Sequence, residues 1–162
     1  MQPVTVRPAR PEELAGLPVL EAASDTLFAP IGIAPLPAPG TALELAHALV
    51  VLVADDPPKG FARIDRLGEG AHLEQLSVHP DHVRRGIGRS LLRAACDWAC
   101  RQGYRDITLT TFRDVAWNGP FYASEGFTEA GIADEWYSAR GFEPEEPEMA
   151  AFGTRVVMVR AL

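Results

Sequence analysis

The sequence predicts an α/β (α+β) fold: a mixed, mostly antiparallel twisted sheet flanked by helices. Three observations predict it. Ala48–Ala54, Phe61–Leu67 and His72–Val78 are strand-like runs separated by short turns, which is most simply an antiparallel meander. Leu91, Leu92, Ala95, Trp98 and Ala99 then recur at helical spacing, with Gly103 where a C-terminal cap belongs. Ile107-Thr108-Leu109-Thr110-Thr111 follows as a largely β-branched strand over Asp106–Thr111. The resulting order, ββαβα-β, implies a mixed sheet.

The remaining elements fit around that core. Val4–Arg7 reads as a short strand, and Pro11-Glu12-Glu13-Leu14 opens a helix with proline and acids in its first turn, where the helix dipole favours negative charge. Asp55–Gly60 and Gly68-Glu69-Gly70 are the turns of the meander. A short helix with Asn118 at its cap, Pro120 in its first turn and Gly126 past its end precedes a last strand, Arg155–Arg160. Two stretches are punctuation: Ala29–Gly40, with four prolines and two glycines, and the acidic, proline-broken Gly141–Glu148. Neither separates two pieces large enough to fold alone, so residues 1–162 are expected to form a single domain.

Composition narrows the function classes. A chain of 162 residues can bury roughly 70% of its unfolded surface. Fifteen Lys+Arg against 22 Asp+Glu, a formal charge of -7, argues against a nucleic-acid protein defined by bulk basicity. No apolar run approaches the roughly 18 residues that span a bilayer. The start, Met1-Gln2-Pro3-Val4-Thr5-Val6-Arg7, lacks the basic and apolar regions of a signal peptide. Cys96 and Cys100 provide no disulfide framework and, at i and i+4, only two metal ligands; they read as small core residues in a reducing compartment. The expectation is a cytoplasmic protein with no nucleic-acid partner, no membrane partner and no metal.

The chemistry concentrates in Leu76-Ser77-Val78-His79-Pro80-Asp81-His82-Val83-Arg84-Arg85-Gly86-Ile87-Gly88-Arg89-Ser90, where a strand enters a basic glycine loop that opens a helix. Glycines let backbone N–H groups approach a ligand, and a helix start carries partial positive charge. Arg84, Arg85, Arg89 and Arg93 place four of the fifteen basic residues within ten positions, which points to a phosphate-bearing ligand on an otherwise acidic chain. A Walker loop is excluded, because Lys59 is the only lysine; a Rossmann fingerprint would need Gly or Ala where Leu91 stands.

These residues resemble the GNAT-type N-acetyltransferases. In that family a strand ends in Val-x-Pro, and a loop Gln/Arg-x-x-Gly-x-Gly/Ala holds the CoA pyrophosphate. Here the counterparts are Val78-His79-Pro80 and Gly86-Ile87-Gly88, followed by Leu91-Leu92. Phe121-Tyr122-Ala123-Ser124-Glu125-Gly126-Phe127 resembles the family's Phe-Tyr-x-x-x-Gly-Phe, and Thr111–Asn118 looks like a variant found in some bacterial members. Val83 departs from the usual Gln or Arg, and Val115 stands where an Asn is common.

The resemblance implies a GNAT-like fold and direct transfer of acetyl from acetyl-CoA to an amine in a ternary complex. It implies that Tyr122 protonates the departing thiolate, and that Val78 N–H polarises the thioester carbonyl. Leu76, Ser77, Val83, Arg84, Arg85, Gly86, Ile87, Gly88, Arg89, Ser90 and Phe121 are the implied cofactor contacts, with Asn118 read first as a helix cap and second as a pantetheine contact. Period-two alternation puts His72, Glu74, Leu76 and Val78 on one strand face. The resemblance implies Glu74, where several members carry a carboxylate that contacts the amine, as the first candidate for the amine-side base. It implies His72, where others carry a base acting through water, as the second. The alternative is that both are exposed strand residues at the edge of a cleft. His79 and His82 read as solvated, and Asp114 and Trp117 as possible acceptor-side residues. Glu143–Glu148 reads as a solvated loop first and an attractor of cationic amines second. The acceptor (a polyamine, an aminoglycoside-like drug, an amino acid or a protein N-terminus) would be chosen by Ala29–Gly40 and Gly131–Glu148. A homodimer and a longer acyl group remain open, and the rival reading is an acyl-CoA-binding sensor or interaction module with little catalysis.

Overall fold

One sheet of seven strands organises the molecule, in the order β1-β2-β3-β4-β5-β7-β6. The strands are β1 (Val6–Pro8), β2 (Val50–Ala54), β3 (Gly60–Leu67), β4 (Gly70–Val78), β5 (Asp106–Phe112), β6 (Thr128–Glu129) and β7 (Arg155–Ala161). The helices are α1 (Leu17–Asp25), α2 (Ala42–Ala46), α3 (Ile87–Arg101), α4 (Gly119–Ser124) and α5 (Asp134–Ala139). The structure is a computed structural model and describes residues 2–130, 134–142 and 153–162. The acidic segment Glu143–Glu148 lies outside the described residues. So does half of Gly131–Glu148, the second of the two loops expected to choose the acceptor; within it, α5 is helical.

Every strand pair is antiparallel except β4 with β5, which are joined through α3 and run parallel. Alternation along the strands divides the core into two layers. Leu52, Ala54, Ala62 and Ile64 face α3, whose buried stripe is Ile87, Leu91, Leu92, Ala95, Cys96 and Ala99. Val51, Val53 and Phe61 face the other way, onto Leu17 and Leu20 of α1 and Leu45 of α2. Burying each such aliphatic side chain contributes about 1.5–3 kcal/mol, so the two stripes fix α1 and α3 on opposite faces.

The meander, the long helix, β5 and the last strand stand where the sequence places them, with ends shifted by a few residues. Pro11–Gly16 is a 3-10 turn rather than the first α-turn, and α1 begins only at Leu17. The two-residue strand β6 and the helix α2 carry too short a pattern to be read beforehand; Thr41 caps α2 by accepting the Glu44 N–H at 3.2 Å. The helical run Pro11–Ile31 is by length and composition apolar enough to cross a membrane, contrary to the sequence expectation. It is broken into two 3-10 turns around α1, and Leu17 and Leu20 pack on the sheet.

Gly60, opposite Val78, permits the contact between β3 and the start of α3. A Cβ there would lie 2.7 Å from the Ser77 carbonyl oxygen, 3.1 Å from Leu91 and 3.2 Å from Ile87. Gly60→Ala is therefore expected to destabilise the fold by about 1–3 kcal/mol through overpacking. The check is a urea titration: the midpoint falls at unchanged slope, and an unchanged midpoint would refute this account of the packing.

Candidate active site

The β4–β5 pairing covers only Ala71–Leu73 against Ile107–Leu109. At Glu74 the β3–β4 register skips a residue, since Ile64 pairs with Leu73 but Arg63 with Gln75. Glu74 is the extra residue of a bulge, and bulges bend a strand and end its pairing. Beyond it β4 and β5 separate, and the opening between them is a cleft of about 830 Å³.

The bulge also corrects the expected strand face, because one inserted residue reverses the side on which those before it point. Leu73, Leu76 and Val78 share the α3 side, while His72 faces the other way with Ser77 and Gln75. His72 is thereby removed from the cleft lining and Glu74 retained. His72 is 7% exposed, its Nδ1 is 2.9 Å from Thr108 Oγ1, and the Thr108 hydroxyl reaches the Ala71 carbonyl. That chain assigns the ring proton to Nδ1, with Nε2 3.6 Å from Glu74 Oε2. Burial lowers the His72 pKa to about 4, so the ring is neutral at physiological pH. Glu74 is half-exposed, and desolvation followed by the charge of Asp65 raises its pKa.

At the mouth of the split, Arg84 (φ +61°) and Gly86 (φ +78°) adopt left-handed conformations that turn the chain into α3. Nothing lies within 4 Å of a Cβ placed on Gly86, so its backbone conformation rather than crowding selects glycine. The first intrahelical bond is Ser90 N–H to Gly86 O, which leaves the N–H groups of Ile87, Gly88 and Arg89 without a helical carbonyl. Val83, Arg84, Gly86, Ile87, Gly88 and Arg89 line the cleft; Arg85, Ser90 and the buried Ser77 do not. Not all four arginines are open to a phosphate. Arg89 Nε is 2.6 Å and Arg93 Nε 2.9 Å from the Glu125 carboxylate, tying α3 to the end of α4. His82, expected in solvent, lines the cleft with its Nδ1 buried and unpaired.

Leu76 and Val78 line one wall. His79 N–H donates to the Lys59 carbonyl on the β3 side at 2.9 Å, and alternation turns Val78 N–H the opposite way, into the split. Tyr122, on α4, reaches the same cleft between Phe121 and Phe127, and burial pushes its phenol well above the usual tyrosine value. Asn118 occupies the N-cap position without bonding the helix. Its Oδ1 accepts instead from Thr111 Oγ1 at 2.6 Å, which joins the end of β5 to the start of α4 within the cleft lining.

α1 contributes two carboxylates that the sequence reading passed over. Glu21 is 9% exposed yet lines the cleft; desolvation and then the charge of Asp25 raise its pKa to about 7, against the hydrogen bond it accepts from Gly40 N–H. Desolvation raises Asp25 to about 6. The signal was present: 17, 20, 21 and 24 form one helical stripe, and a glutamate at 21 interrupts it. Opposite lie Phe28, Phe112 and Trp117, with Phe28 5.5 Å from Trp117 and 6.0 Å from Phe112 between ring centres. Trp117 thus lines the cleft while packing on Phe28, and the exposed Asp114 does not line it.

The sequence model of the acetyltransferase (GNAT) domain matches residues 46–129, half of the chain. The chain belongs to the GNAT acetyltransferase family. Among curated GNAT relatives, a ribosomal-protein alanine N-acetyltransferase of Salmonella typhimurium is 36% identical over 93 residues, 57% of this chain and 63% of the relative. An N-alpha-acetyltransferase RimI of Mycobacterium tuberculosis is 36% identical over 86 residues, 51% of this chain and 52% of that one. The match thus covers less than two thirds of either. Among solved structures, the PaiA N-acetyltransferase of Thermoplasma acidophilum in complex with coenzyme A superposes with a TM-score of 0.72 at 18% identity, covering 99% of this chain and 100% of that one. A ribosomal-protein alanine N-acetyltransferase from Escherichia coli gives 0.68 at 20% identity, over 98% and 93%. At these identities the likeness is one of fold.

The buried neutral His72 yields a stability prediction. Between its unfolded pKa of about 6.5 and its folded value of about 4, the unfolded chain binds a proton that the folded chain refuses. Its contribution is complete above pH 6.5 and is lost as pH falls towards 4, by about 3 kcal/mol. Glu21 and Asp25, with raised values, act in the opposite sense, so the comparison must be with His72→Gln. The melting-temperature gap between wild type and variant should shrink over pH 6.5 to 4; a constant gap would contradict the burial account.

Proposed function

We propose that this protein is an acetyl-CoA-dependent N-acetyltransferase acting on a primary amine by direct transfer. The observation that carries the reading is that the unpaired N–H groups at the start of α3, the Val78 N–H and the Tyr122 side chain all open into one cleft. In this reading the amides of residues 84–89 hold the cofactor's pyrophosphate, aided by the partial positive charge of the helix start. Asn118 and Phe121 flank the pantetheine arm. The Val78 N–H donates to the thioester carbonyl and strengthens as negative charge develops on its oxygen.

The reaction needs a neutral amine and a protonated thiolate. Glu74 accepts the ammonium proton directly or through water, and the amine then attacks the carbonyl carbon. Collapse expels the thiolate, which takes the Tyr122 proton, and the excess proton on the new amide nitrogen restores the phenol. Burial keeps the phenol protonated but makes it a weaker acid than the thiol it generates, so its proton passes to sulfur only as the proton of the amide nitrogen replaces it. His72 stands behind Glu74 with its unprotonated Nε2 3.6 Å from the carboxylate, so it donates no hydrogen bond to it. One curated relative named a ribosomal-protein alanine N-acetyltransferase and another named an N-alpha-acetyltransferase support an amine acceptor for this chain. A reducing, acetyl-CoA-containing compartment such as the cytoplasm fits the free thiols of Cys96 and Cys100.

Acetyl-CoA at about 100 times its dissociation constant should stabilise the folded state by about 2.7 kcal/mol, a rise of roughly 5–10 °C in melting temperature. No shift at millimolar acetyl-CoA would overturn the cofactor assignment. Tyr122→Phe should retain that shift and lose roughly 10–1000-fold in turnover, measured as amine-dependent CoA release. Unchanged turnover would remove Tyr122 from the mechanism; cofactor binding without release, across a panel of amines, would leave a binding module.

A further inference from the structure

The half of the cleft beyond the cofactor loop is chemically divided. On one wall stand the carboxylates of Glu21, Asp25 and Glu74; on the other stand the rings of Phe28, Phe112 and Trp117. The walls are contiguous, since Phe28 follows Asp25 within one turn of chain.

The acidic wall is partly withdrawn from solvent, with Glu21 buried and Glu74 half-exposed. Glu21 occupies a core-facing position of α1 beside Leu17 and Leu20, the other two buried residues of that helix. Burying a carboxylate costs several kcal/mol unless it is compensated, and an isosteric apolar residue would serve packing better. Its compensation is one backbone N–H, from Gly40, and the more distant charge of Arg63. That guanidinium is already engaged, with Nε 2.9 Å and Nη2 2.6 Å from Asp65 and Nη1 3.7 Å from Glu44. Desolvation raises Glu21, Asp25 and Glu74, and the neighbouring carboxylates Asp25 and Asp65 add to it for Glu21 and Glu74 respectively; an incoming cation offsets both effects.

The aromatic wall has its own signature. Phe112 packs on Ile33 and Val115, and Phe28 leans against both Phe112 and Trp117, yet Trp117 stays 41% exposed at the opening. An indole held edge-on to a neighbouring ring and left half open offers a flat apolar face to a ligand.

We infer that the acceptor is a primary ammonium carried on an aromatic or bulky apolar body, with the cation between Glu21, Asp25 and Glu74 and the body against Phe28, Phe112 and Trp117. This rests on the acetyltransferase reading for its chemistry and stands apart from it for recognition. Ammonium and body are joined by a short spacer, because Phe28 and Asp25 line the cleft side by side, with the Phe28 N–H donating to the Asp25 carbonyl at 3.1 Å. A free arylalkylamine and a peptide with an aromatic first residue share this chemistry.

Calorimetric titration of the full-length protein with 2-phenylethylamine, ethylamine, phenylacetate and Phe-Ala-Ala amide tests it. The aromatic amine should bind at least about tenfold more tightly than ethylamine or phenylacetate. Glu21→Gln keeps the Gly40 contact and should weaken it about 10–100-fold, the range for a hydrogen bond to a charged group. Trp117→Ala should weaken 2-phenylethylamine several-fold and leave ethylamine unchanged. Melting curves of both variants establish that they fold. Tighter binding of the peptide amide assigns the peptide source, and tighter binding of the free amine the small-molecule source. Equal affinity for ethylamine, equal affinity for phenylacetate, or an unaffected Glu21→Gln would overturn the inference. CoA release separates the two claims: binding in the expected order with no acetylation removes the transfer reading alone. Faster acetylation of ethylamine or spermidine than of 2-phenylethylamine removes this inference alone.

Discussion

Strands β4 and β5 stay paired for three residues, and the site depends on where they part. A parallel pair already has slanted, less favourable hydrogen bonds, and a bulge at Glu74 makes continuation impossible. Leaving strand amides unpaired inside a protein is costly. In the proposed mechanism that cost is offset, because the thioester carbonyl oxygen takes the place of the missing strand. The two core layers hold that opening in shape: α3 braces β3 and β4 from one side, α1 from the other.

The same bulge sorts the titratable groups. Were β4 regular, His72 would share the face of Leu76 and Val78; with the inserted residue it turns into the opposite layer and becomes a neutral, hydrogen-bonded core side chain. Glu74, the inserted residue, is left at the wall. Facing it, α1 uses a position of its apolar stripe for Glu21, so the acceptor side is built from groups whose charge the fold tolerates poorly. On the inferred reading, a cation placed among these groups would offset their desolvation.

How much of this was legible in sequence follows from the range of each signal. Helical periodicity and β-branched runs are local, so α3, β5 and the meander could be read directly. The glycine loop and the Phe-Tyr segment were readable because backbone conformation and phenol chemistry demand particular residue types at fixed spacing. The bulge was not, because nothing in His72-Leu73-Glu74-Gln75 differs in composition from a regular strand; only the register against β3 reveals it. The ties of Arg89 and Arg93 to Glu125 span more than thirty positions and lie outside any periodicity. Asn118 misled for a related reason: its position is that of a cap, but Thr111 competes for its oxygen. Glu21 was legible in principle, as a charge within an apolar stripe, and was hidden by the attention that proline and acids drew to the preceding turn.

Glu125 has a mechanical meaning. It grips Arg89 and Arg93 on the helix that opens the cofactor loop, and it sits three residues from Tyr122 on the segment that carries the phenol. The start of α3 and the end of α4 are thus linked like the jaws of one calliper, by ion pairs to half-exposed arginines of which Arg89 also lines the cleft. On the proposed reading, a thioester bulkier than acetyl would therefore compete with the amine for the space between the carboxylates and the aromatic rings.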